Sequence, residues 1–168
     1  MATYMLISSV TLSTTASSIE FTSIPQTYTD LCILLSARNN SGGALGRTCF
    51  ITFNGNTSSY TYRLAEGTGS GVNTGSGSTR VGGITPGPVA TSNVFSNIIT
   101  YIPNYKGSNH KSFSIDSVME NSSTSVYNTL VNGTWANSGA ITSIAITNDD
   151  GSSYVANSTA YLYGISNA

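Results

Sequence analysis

Few residues of this sequence could carry out catalysis. The one histidine, His110, lies between Lys106 and Lys111, and these two positive charges disfavour an imidazolium ion. No serine has the Gly-x-Ser-x-Gly context of a hydrolase nucleophile. We therefore interpret His110 as a solvent-exposed loop residue rather than as the base of a catalytic triad.

The acidic residues do not form a recognisable site either. Asp149-Asp150-Gly151 could offer oxygen ligands to calcium, but the remainder of a calcium-binding loop is missing, and a simple turn explains the tripeptide. Asp116 and Glu120 are close in sequence, yet nothing marks them as the two facing carboxylates of a glycosidase. With one histidine and two separated cysteines, the usual zinc patterns are excluded. The sequence predicts no catalytic residue, no cofactor and no metal site.

The cysteines and the glycine-rich segment also have plain structural interpretations. Cys32 and Cys49 both fall in predicted strands, and two cysteines do not form a disulfide framework, so we predict two buried thiols. The glycines from Gly67 to Gly77 do not form a phosphate-binding loop, because no Lys-Ser/Thr pair follows them and no helix begins there.

Aromatic side chains are the one residue class that suggests binding. Ten tyrosines and Trp135 could present flat faces to sugar rings. Alternation along two predicted strands places Tyr60 with Tyr62, and Tyr161 with Tyr163, on shared faces. Tyrosine also packs well inside half-buried sandwich faces and is enriched at subunit interfaces, so packing is the alternative to sugar binding.

The strands that must position these residues are organised around the segment 17–39. A short strand is predicted at Ile19–Thr22, and Pro25 follows it, where proline withholds a backbone donor. Leu31–Leu35 is the most apolar run of the chain. Its short length and its glycine-rich exit at 38–43 favour a strand buried on both faces over a buried helix. We expect this run to be a central strand.

The rest of the sequence alternates between short apolar runs and polar turns. The predicted strands are Met5–Leu12, Ile19–Thr22, Leu31–Ala37, Thr48–Phe53, Tyr60–Leu64, Asn93–Pro103, Lys111–Met119, Val126–Trp135, Ala140–Thr147 and Ala160–Ile165. Asn54-Gly55 predicts a tight hairpin turn. Residues 66–88 predict a long Gly/Ser-rich loop, which either contains a small strand near Val81–Ile84 or is functional. Together these features predict an all-β fold: a single jelly-roll-like antiparallel β-sandwich over residues 1–168.

Charge limits the range of partners. Only 8% of the residues are charged, the net charge is −1, and the six basic residues are too scattered to form the basic stripe of a nucleic-acid-binding protein. No apolar run approaches the ~20 residues of a membrane-spanning helix. The N-terminus lacks the basic and apolar regions of a secretion signal. We expect no nucleic acid and no membrane as partner, and synthesis in a cytoplasm.

Four stretches that together span nearly the whole chain resemble a family of small virion proteins of tailed bacteriophages, especially phages of aquatic bacteria. They are residues 4–39, the FNGNTSSYTYRL segment at 53–64, residues 101–121 with KSFSIDSVMEN, and the closing TAYLYGISNA at 159–168. The glycine-rich segment is the variable part. The resemblance implies a jelly-roll protein of the virion surface, and it carries no catalytic motif.

The function implied by this resemblance is structural and non-enzymatic. We expect a capsid decoration, or cement, protein that bridges subunits of the major capsid protein, and a homotrimer, because decoration proteins often occupy three-fold positions. Met1–Tyr4 and Glu66–Pro88 are the expected contacts with the capsid or with a neighbouring subunit. The alternative is the receptor-binding tip of a tail fibre or head fibre that recognises host surface glycans. No coiled-coil shaft precedes the first strand, which favours the decoration protein.

Overall fold

The protein is an antiparallel β-sandwich in the computed structural model, which describes residues 3–120, 122 and 126–166. These residues form twelve strands: β1 (Thr3–Thr11), β2 (Ser18–Phe21), β3 (Asp30–Ser36), β4 (Gly46–Phe53), β5 (Tyr60–Gly67), β6 (Val72–Gly77), β7 (Val81–Pro86), β8 (Asn97–Ile102), β9 (Lys111–Glu120), β10 (Val126–Trp135), β11 (Ile144–Asn148) and β12 (Thr159–Ser166). No helix long and apolar enough to cross a membrane occurs among the described residues. The all-β sandwich predicted from the sequence is confirmed.

Eight of the strands form a jelly roll. One sheet contains the order β1-β12-β3-β8, and the second sheet has the order β2-β11-β4-β7. Along the chain, the strands from β1 to β4 pass alternately between the two sheets, as do β7, β8, β11 and β12, and every pairing is antiparallel. This alternation wraps the chain around one shared core, which is the jelly-roll arrangement.

Four further strands widen one sheet of the jelly roll. The pair β5–β6 is inserted between β4 and β7, and the pair β9–β10 is inserted between β8 and β11. Both pairs join the edge of the first sheet beyond β8, so that its full order is β1-β12-β3-β8-β9-β10-β5-β6. The two sheets therefore differ in width, with eight strands facing four.

A cluster of aromatic rings joins the inserted strands to the second sheet. Phe53 ends β4 in the four-stranded sheet, and its ring centroid lies 5.6 Å from those of Phe113 and Trp135 and 5.9 Å from that of Tyr60. The hydroxyl of Tyr60 accepts a hydrogen bond from the backbone N–H of Phe53 at 2.8 Å. All four side chains are buried. This cluster gives β9, β10 and β5 a shared apolar contact with β4.

The structure corrects the prediction of a long loop at 66–88, because this segment contains β6 and β7. The small strand considered near Val81–Ile84 is confirmed as β7, whereas β6 was not predicted. In β6, Gly75 lies opposite Leu64 and Gly77 lies opposite Tyr62. A Cβ atom on either glycine would come within 3.2 Å of these side chains, so the large residues of β5 cover the bare backbone of β6. The Gly/Ser-rich composition indicated a flexible loop, because composition does not show which side chains of a neighbouring strand cover the glycines.

The strand β7 needs its glycines for a different reason. Gly82 packs directly on the backbone of β4, where a Cβ atom would lie 3.0 Å from the nitrogen of Ile51. Gly83 adopts a φ of +113°, which an L-residue rarely adopts. Val81 and Thr85 are buried. Since β7 belongs to the core, a deletion through it would disrupt the fold, and the segment is not a detachable contact loop.

The connection from β7 to β8 is held by a buried arginine that the sequence did not reveal. The guanidinium of Arg38 donates hydrogen bonds to the carbonyl oxygens of Gly87, Ala90, Thr91 and Val94, at 2.7 to 3.1 Å. Its five donors suit such a fan of carbonyl acceptors, which compensates the desolvation of the charge. Arg38 therefore fixes an irregular segment through carbonyl groups, and it has no ion pair within the described ranges.

Several local predictions agree with the structure only in part. A turn is present at Asn54-Gly55, since both residues have positive φ and the N–H of Asn56 bonds the carbonyl oxygen of Phe53, but it does not close a hairpin, because β4 and β5 belong to different sheets. The run at Leu31–Leu35 is central, as β3, but it is not buried on both faces, because Leu34 is 37% exposed. The strands predicted at 93–103 and 140–147 begin later, at Asn97 and Ile144.

Shortening Phe53 tests the importance of the aromatic cluster. Phe53→Ala should lower the free energy of unfolding by about 3–5 kcal/mol, because the cavity would lie between three further rings. The measurement is urea unfolding followed by tryptophan fluorescence, which reports on Trp135 within the cluster. The control Leu130→Ala, at an exposed position of β10, should change stability by less than about 0.5 kcal/mol. Equal losses for both variants would contradict this assignment.

Candidate binding surfaces on the eight-stranded sheet

The outer face of the eight-stranded sheet, which points away from the four-stranded sheet, carries two distinct surfaces. The first lies on β1, β12, β3 and β8, and we call it the apolar patch. It consists of Tyr4, Leu6, Leu34, Ile99 and Tyr161, which are 37% to 59% exposed. The second lies on β8, β9, β10 and β5, and we call it the groove.

The apolar patch is continuous because its residues are neighbours across the strands. Tyr161 lies opposite Leu34, and Leu34 lies opposite Ile99. A shallow cavity of about 240 Å³ is lined by these three residues together with parts of their strands. Tyr4 extends the patch, since its ring contacts that of Tyr163 edge-on at 6.4 Å. Exposed apolar surface of this kind is typical of a site that another molecule covers.

The edge strand β1 borders the apolar patch and has one open side. It pairs only with β12 among the described residues, and its nine residues include no charged side chain and no proline. A register shift between Leu6 and Ser8 is the one irregularity. Long, uncharged edge strands are usually protected in soluble proteins, because their free N–H and C=O groups can pair with another chain. The edge and the patch together form one surface suited to a protein partner.

The groove has a volume of about 580 Å³ and is lined by side chains of mixed character. One row of directly opposite residues crosses it, running from Tyr101 on β8 through Ser114 and Asn132 to Arg63 on β5. The two middle residues are short, whereas the two outer residues are long. Tyr101 and Arg63 therefore form the two walls, and their backbones are separated by three strand spacings, or roughly 14 Å.

A buried carboxylate fixes the aromatic wall of the groove. The hydroxyl of Tyr101 donates a hydrogen bond to Oδ2 of Asp30 at 2.7 Å, and the backbone N–H of Asn104 donates to Oδ1 at 2.8 Å. Asp30 is buried, so the tyrosine hydroxyl is held at a defined place. This hydrogen bond raises the pKa of Tyr101 to about 12. The ring remains 36% exposed beside the groove.

The floor and the second wall of the groove offer unused hydrogen-bonding groups. The side chains of Ser112, Ser114 and Asn132 form no hydrogen bond within the described part of the chain, and Ser112 and Ser114 are exposed. Arg63 donates one bond, to the carbonyl oxygen of Tyr62 at 2.9 Å, and it makes no ion pair with any described residue. It is the one charged residue that lines the groove. The groove thus combines an aromatic ring, neutral polar groups and a single positive charge.

Of the two tyrosine pairs predicted from the sequence, one faces the core and the other lies on the outer face of the eight-stranded sheet. Tyr60 and Tyr62 do share a face, and that face packs against the core, so Tyr60 is buried, whereas Tyr62 is partly buried and also lines the groove. Tyr161 and Tyr163 share the outer face, where Tyr161 belongs to the apolar patch. Tyr101 was not identified from the sequence as a candidate binding residue. The signal that could have identified it is the alternation of the predicted strand at 93–103, which places Tyr101 on the same face as Ile99.

His110 is exposed, as predicted, whereas its neighbour Lys111 is not a solvated charge. Lys111 is buried at the start of β9, and its Nζ donates hydrogen bonds to the carbonyl oxygens of Gly107 and Asn109. Burial lowers the pKa of Lys111. The lysine closes the loop that precedes β9, so its role is structural.

The predicted turn at Asn148-Asp149-Asp150-Gly151 is confirmed, with Gly151 at a φ of +75°. The carboxylate of Asp150 pairs with Nε of Arg47 at 3.1 Å and accepts hydrogen bonds from Ser41 and Ser152. The bonds from Ser152 and Ser41 hold the pKa of Asp150 well below its usual range. These contacts occupy the carboxylate and tie the turn to the start of β4.

The remaining chemical candidates are dispersed. Glu120 accepts hydrogen bonds from Thr91 and from the N–H of Ser122, while Asp116 lies exposed on the outer face. Among the described residues, no three His, Cys, Asp or Glu side chains lie close enough to hold a metal ion. Cys32 and Cys49 are free and buried, as predicted, and burial raises the pKa of Cys49 to about 12.

Replacing Asp150 tests the turn through its pH dependence. Asp150→Asn should lower the free energy of unfolding at pH 7, because the depressed pKa means that the ionised carboxylate stabilises the folded state. This difference should be complete above about pH 4, the unfolded pKa, and should shrink as the pH falls further. Urea unfolding at several pH values measures it. Asp116→Asn is the control, and a pH-independent difference for Asp150→Asn would contradict the interpretation.

Titration of Tyr101 tests the fixed wall of the groove. Since the hydrogen bond to Asp30 raises its pKa to about 12, Tyr101 should keep its proton at about pH 11, where an ordinary tyrosine is mostly ionised. Asp30→Asn removes the anionic acceptor and should lower the Tyr101 pKa towards 10. Ring-carbon NMR shifts of labelled tyrosine measure both. An ordinary titration of Tyr101 in the unmodified protein would show that the hydroxyl is not held.

The apolar patch and the groove are two candidate binding surfaces on the described structure. Their chemistry differs, because the patch offers apolar side chains and an open strand edge, whereas the groove offers hydrogen-bonding groups and a charge. No protein-family model, curated protein or solved structure matches this chain. The function is therefore inferred from these two surfaces and from the sequence.

Proposed function

We propose that the chain is a non-enzymatic structural protein of a tailed-bacteriophage virion, which decorates the capsid and stabilises it by bridging subunits of the major capsid protein. The observation that carries the proposal is the apolar patch beside the open edge of β1. Of the eleven large apolar side chains that are exposed among the described residues, five are grouped in this patch, on a protein whose polar surface is mostly uncharged. Such a surface is stable in water when a protein partner covers it.

The low charge of the chain supports the same function. With 8% charged residues, attachment must depend on apolar contact and backbone pairing rather than on ion pairs. Contacts of this kind weaken little when the salt concentration changes, which suits a particle that passes between different waters. Binding that favours the assembled lattice stabilises that lattice by linkage, and many copies add their contributions.

The proposed assembly is a homotrimer on the capsid surface of the virion, formed after synthesis in the host cytoplasm. The open edge of β1 and the neighbouring patch supply a surface that can serve contacts between copies as well as contacts with the capsid. Of the two contact segments expected from the sequence, residues 1–2 lie outside the described structure. Tyr4 lies in the patch, whereas 66–88 forms strands of the sandwich.

A second function, recognition of host surface glycans by a fibre tip, is favoured by one observation. The groove combines the ring of Tyr101, the hydrogen-bonding groups of its floor and Arg63, which is a combination suited to sugars. The two functions use different surfaces of the same sheet, so separate variants can test them.

Locating the chain in the particle tests the proposed function directly. Cryo-electron microscopy of the virion should show density for the sandwich repeated over the capsid lattice, in groups of three copies. Sedimentation equilibrium of the purified protein should give three times 17.5 kDa. Density confined to the tail or to a vertex fibre would contradict decoration and would favour the fibre tip.

A charge placed in the apolar patch tests which surface makes the contact. Leu34→Asp should reduce binding to undecorated capsids at least roughly tenfold, because the carboxylate would have to be desolvated at the interface. Asn128→Asp adds the same charge on the same face of the sheet, at an exposed position of β10 outside the patch, and should leave binding unchanged. Co-sedimentation with capsids measures both. Undiminished binding of Leu34→Asp, with its fold verified by circular dichroism, would exclude the patch as the contact.

A further inference from the structure

The groove has the dimensions and the chemistry of a saccharide site, which goes beyond decoration and specifies the second proposed function, on which it rests. We propose that it binds an oligosaccharide containing a carboxylated sugar. In this arrangement the ring of Tyr101 stacks against the apolar face of one sugar, and the guanidinium of Arg63 pairs with the carboxylate of another. The floor between them binds hydroxyl groups.

The aromatic wall is prepared for stacking before any ligand arrives. Both its ends are constrained, because β8 holds the backbone of Tyr101 and Asp30 holds the hydroxyl at 2.7 Å. A ring fixed in this way loses little conformational freedom on binding, which reduces the entropic cost of association. Since the hydroxyl is already used, the exposed part of the residue that remains for a ligand is mainly the ring. An exposed aromatic ring favours a ligand with a flat, partly apolar surface, such as the C–H face of a sugar.

The floor explains why the ligand should be a polyhydroxylated molecule. Ser112, Ser114 and Asn132 are side by side on β9 and β10, and their side-chain hydrogen-bonding groups have no partners among the described residues. A purely apolar ligand would desolvate these groups without replacing their bonds to water, which is unfavourable. A sugar replaces those bonds with its own hydroxyl groups.

The second wall determines the charge of the ligand. Arg63 lines the groove without a carboxylate partner, in contrast to Arg47, which pairs with Asp150. Its guanidinium can bind a carboxylate with two parallel hydrogen bonds. The backbones of Tyr101 and Arg63 are three strand spacings, or roughly 14 Å, apart. Because the hydroxyl of Tyr101 is bound to Asp30 on β3, on the side of β8 away from Arg63, the ring does not shorten this span, and we expect one monosaccharide to be too short for both walls. The ligand is therefore an oligosaccharide rather than a single acidic sugar.

Isothermal titration calorimetry with tetragalacturonate, tetramannuronate and sialyllactose tests the proposal, each compared with its neutral counterpart: galactotetraose, mannotetraose or lactose. We expect at least one acidic probe to bind, about fivefold more tightly than its neutral counterpart, and more weakly as salt is raised. If neither the acidic nor the neutral probes bind, the proposed site and the glycan-recognition function are both overturned. Equal binding of acidic and neutral probes overturns the assignment of a carboxylated ligand.

Two pairs of matched variants locate the site. Tyr101→Ala should weaken binding roughly tenfold, whereas Tyr161→Ala, which removes a tyrosine of similar exposure from the apolar patch, should not change it. Arg63→Gln should remove the preference for the acidic probe, whereas Arg80→Gln alters the net charge equally, outside the groove. Binding that persists in both Tyr101→Ala and Arg63→Gln overturns the groove while leaving glycan recognition intact. Capsid binding of the two groove variants, Tyr101→Ala and Arg63→Gln, should be unchanged, which separates this test from that of decoration.

Discussion

The contact between Phe53 and the rings of Tyr60, Phe113 and Trp135 is the interaction on which the rest of the structure depends. The eight-stranded sheet is twice as wide as the sheet that covers it, and strands beyond the width of the smaller sheet would expose their inner faces to water. Phe53, at the end of β4, reaches under the added strands and supplies an apolar partner for three of them. The outer face of those strands carries the groove, so the support of the groove depends on a cluster buried behind it.

The apolar patch and the groove lie on different strands of the same sheet, and neither is built mainly from loops. The apolar patch lies on strands of the jelly roll itself, and the groove lies mostly on the added strands, with Tyr101 on β8 at the border. Because the residues of both surfaces are anchored by sheet pairing, their positions are more precise than those of residues on flexible loops. A single rigid sheet can therefore present an assembly surface and a ligand surface at the same time.

The sequence predicted the sandwich and most of its strands because alternation and turn residues are local signals. Phe113 and Ile115 face the core and Ser114 faces outward, as the alternation in that strand indicates. The strand β6 was missed, and β7 was considered only as an alternative to a loop, because both strands are stabilised by residues elsewhere: Tyr62 and Leu64 cover the glycines of β6, and Gly82 packs on the backbone of β4. The groove was missed for a related reason. Its row from Tyr101 to Arg63 joins residues 38 positions apart, and only the pairing order of the strands brings them together.

The pairing order of the four added strands shows which added pair depends on the other for its place in the sheet. The strand β5 pairs with β10, and β9 pairs with β8 of the jelly roll, so the β5–β6 hairpin is supported by β9–β10. Removing β5–β6 would leave β10 as a new edge, whereas removing β9–β10 would take away the strand on which β5 rests. A lineage that enlarged an eight-stranded ancestor one hairpin at a time would thus have gained β9–β10 first. The hairpin that carries Arg63 would be the younger of the two, and the part that such a lineage could exchange with the least disturbance to its ancestral fold.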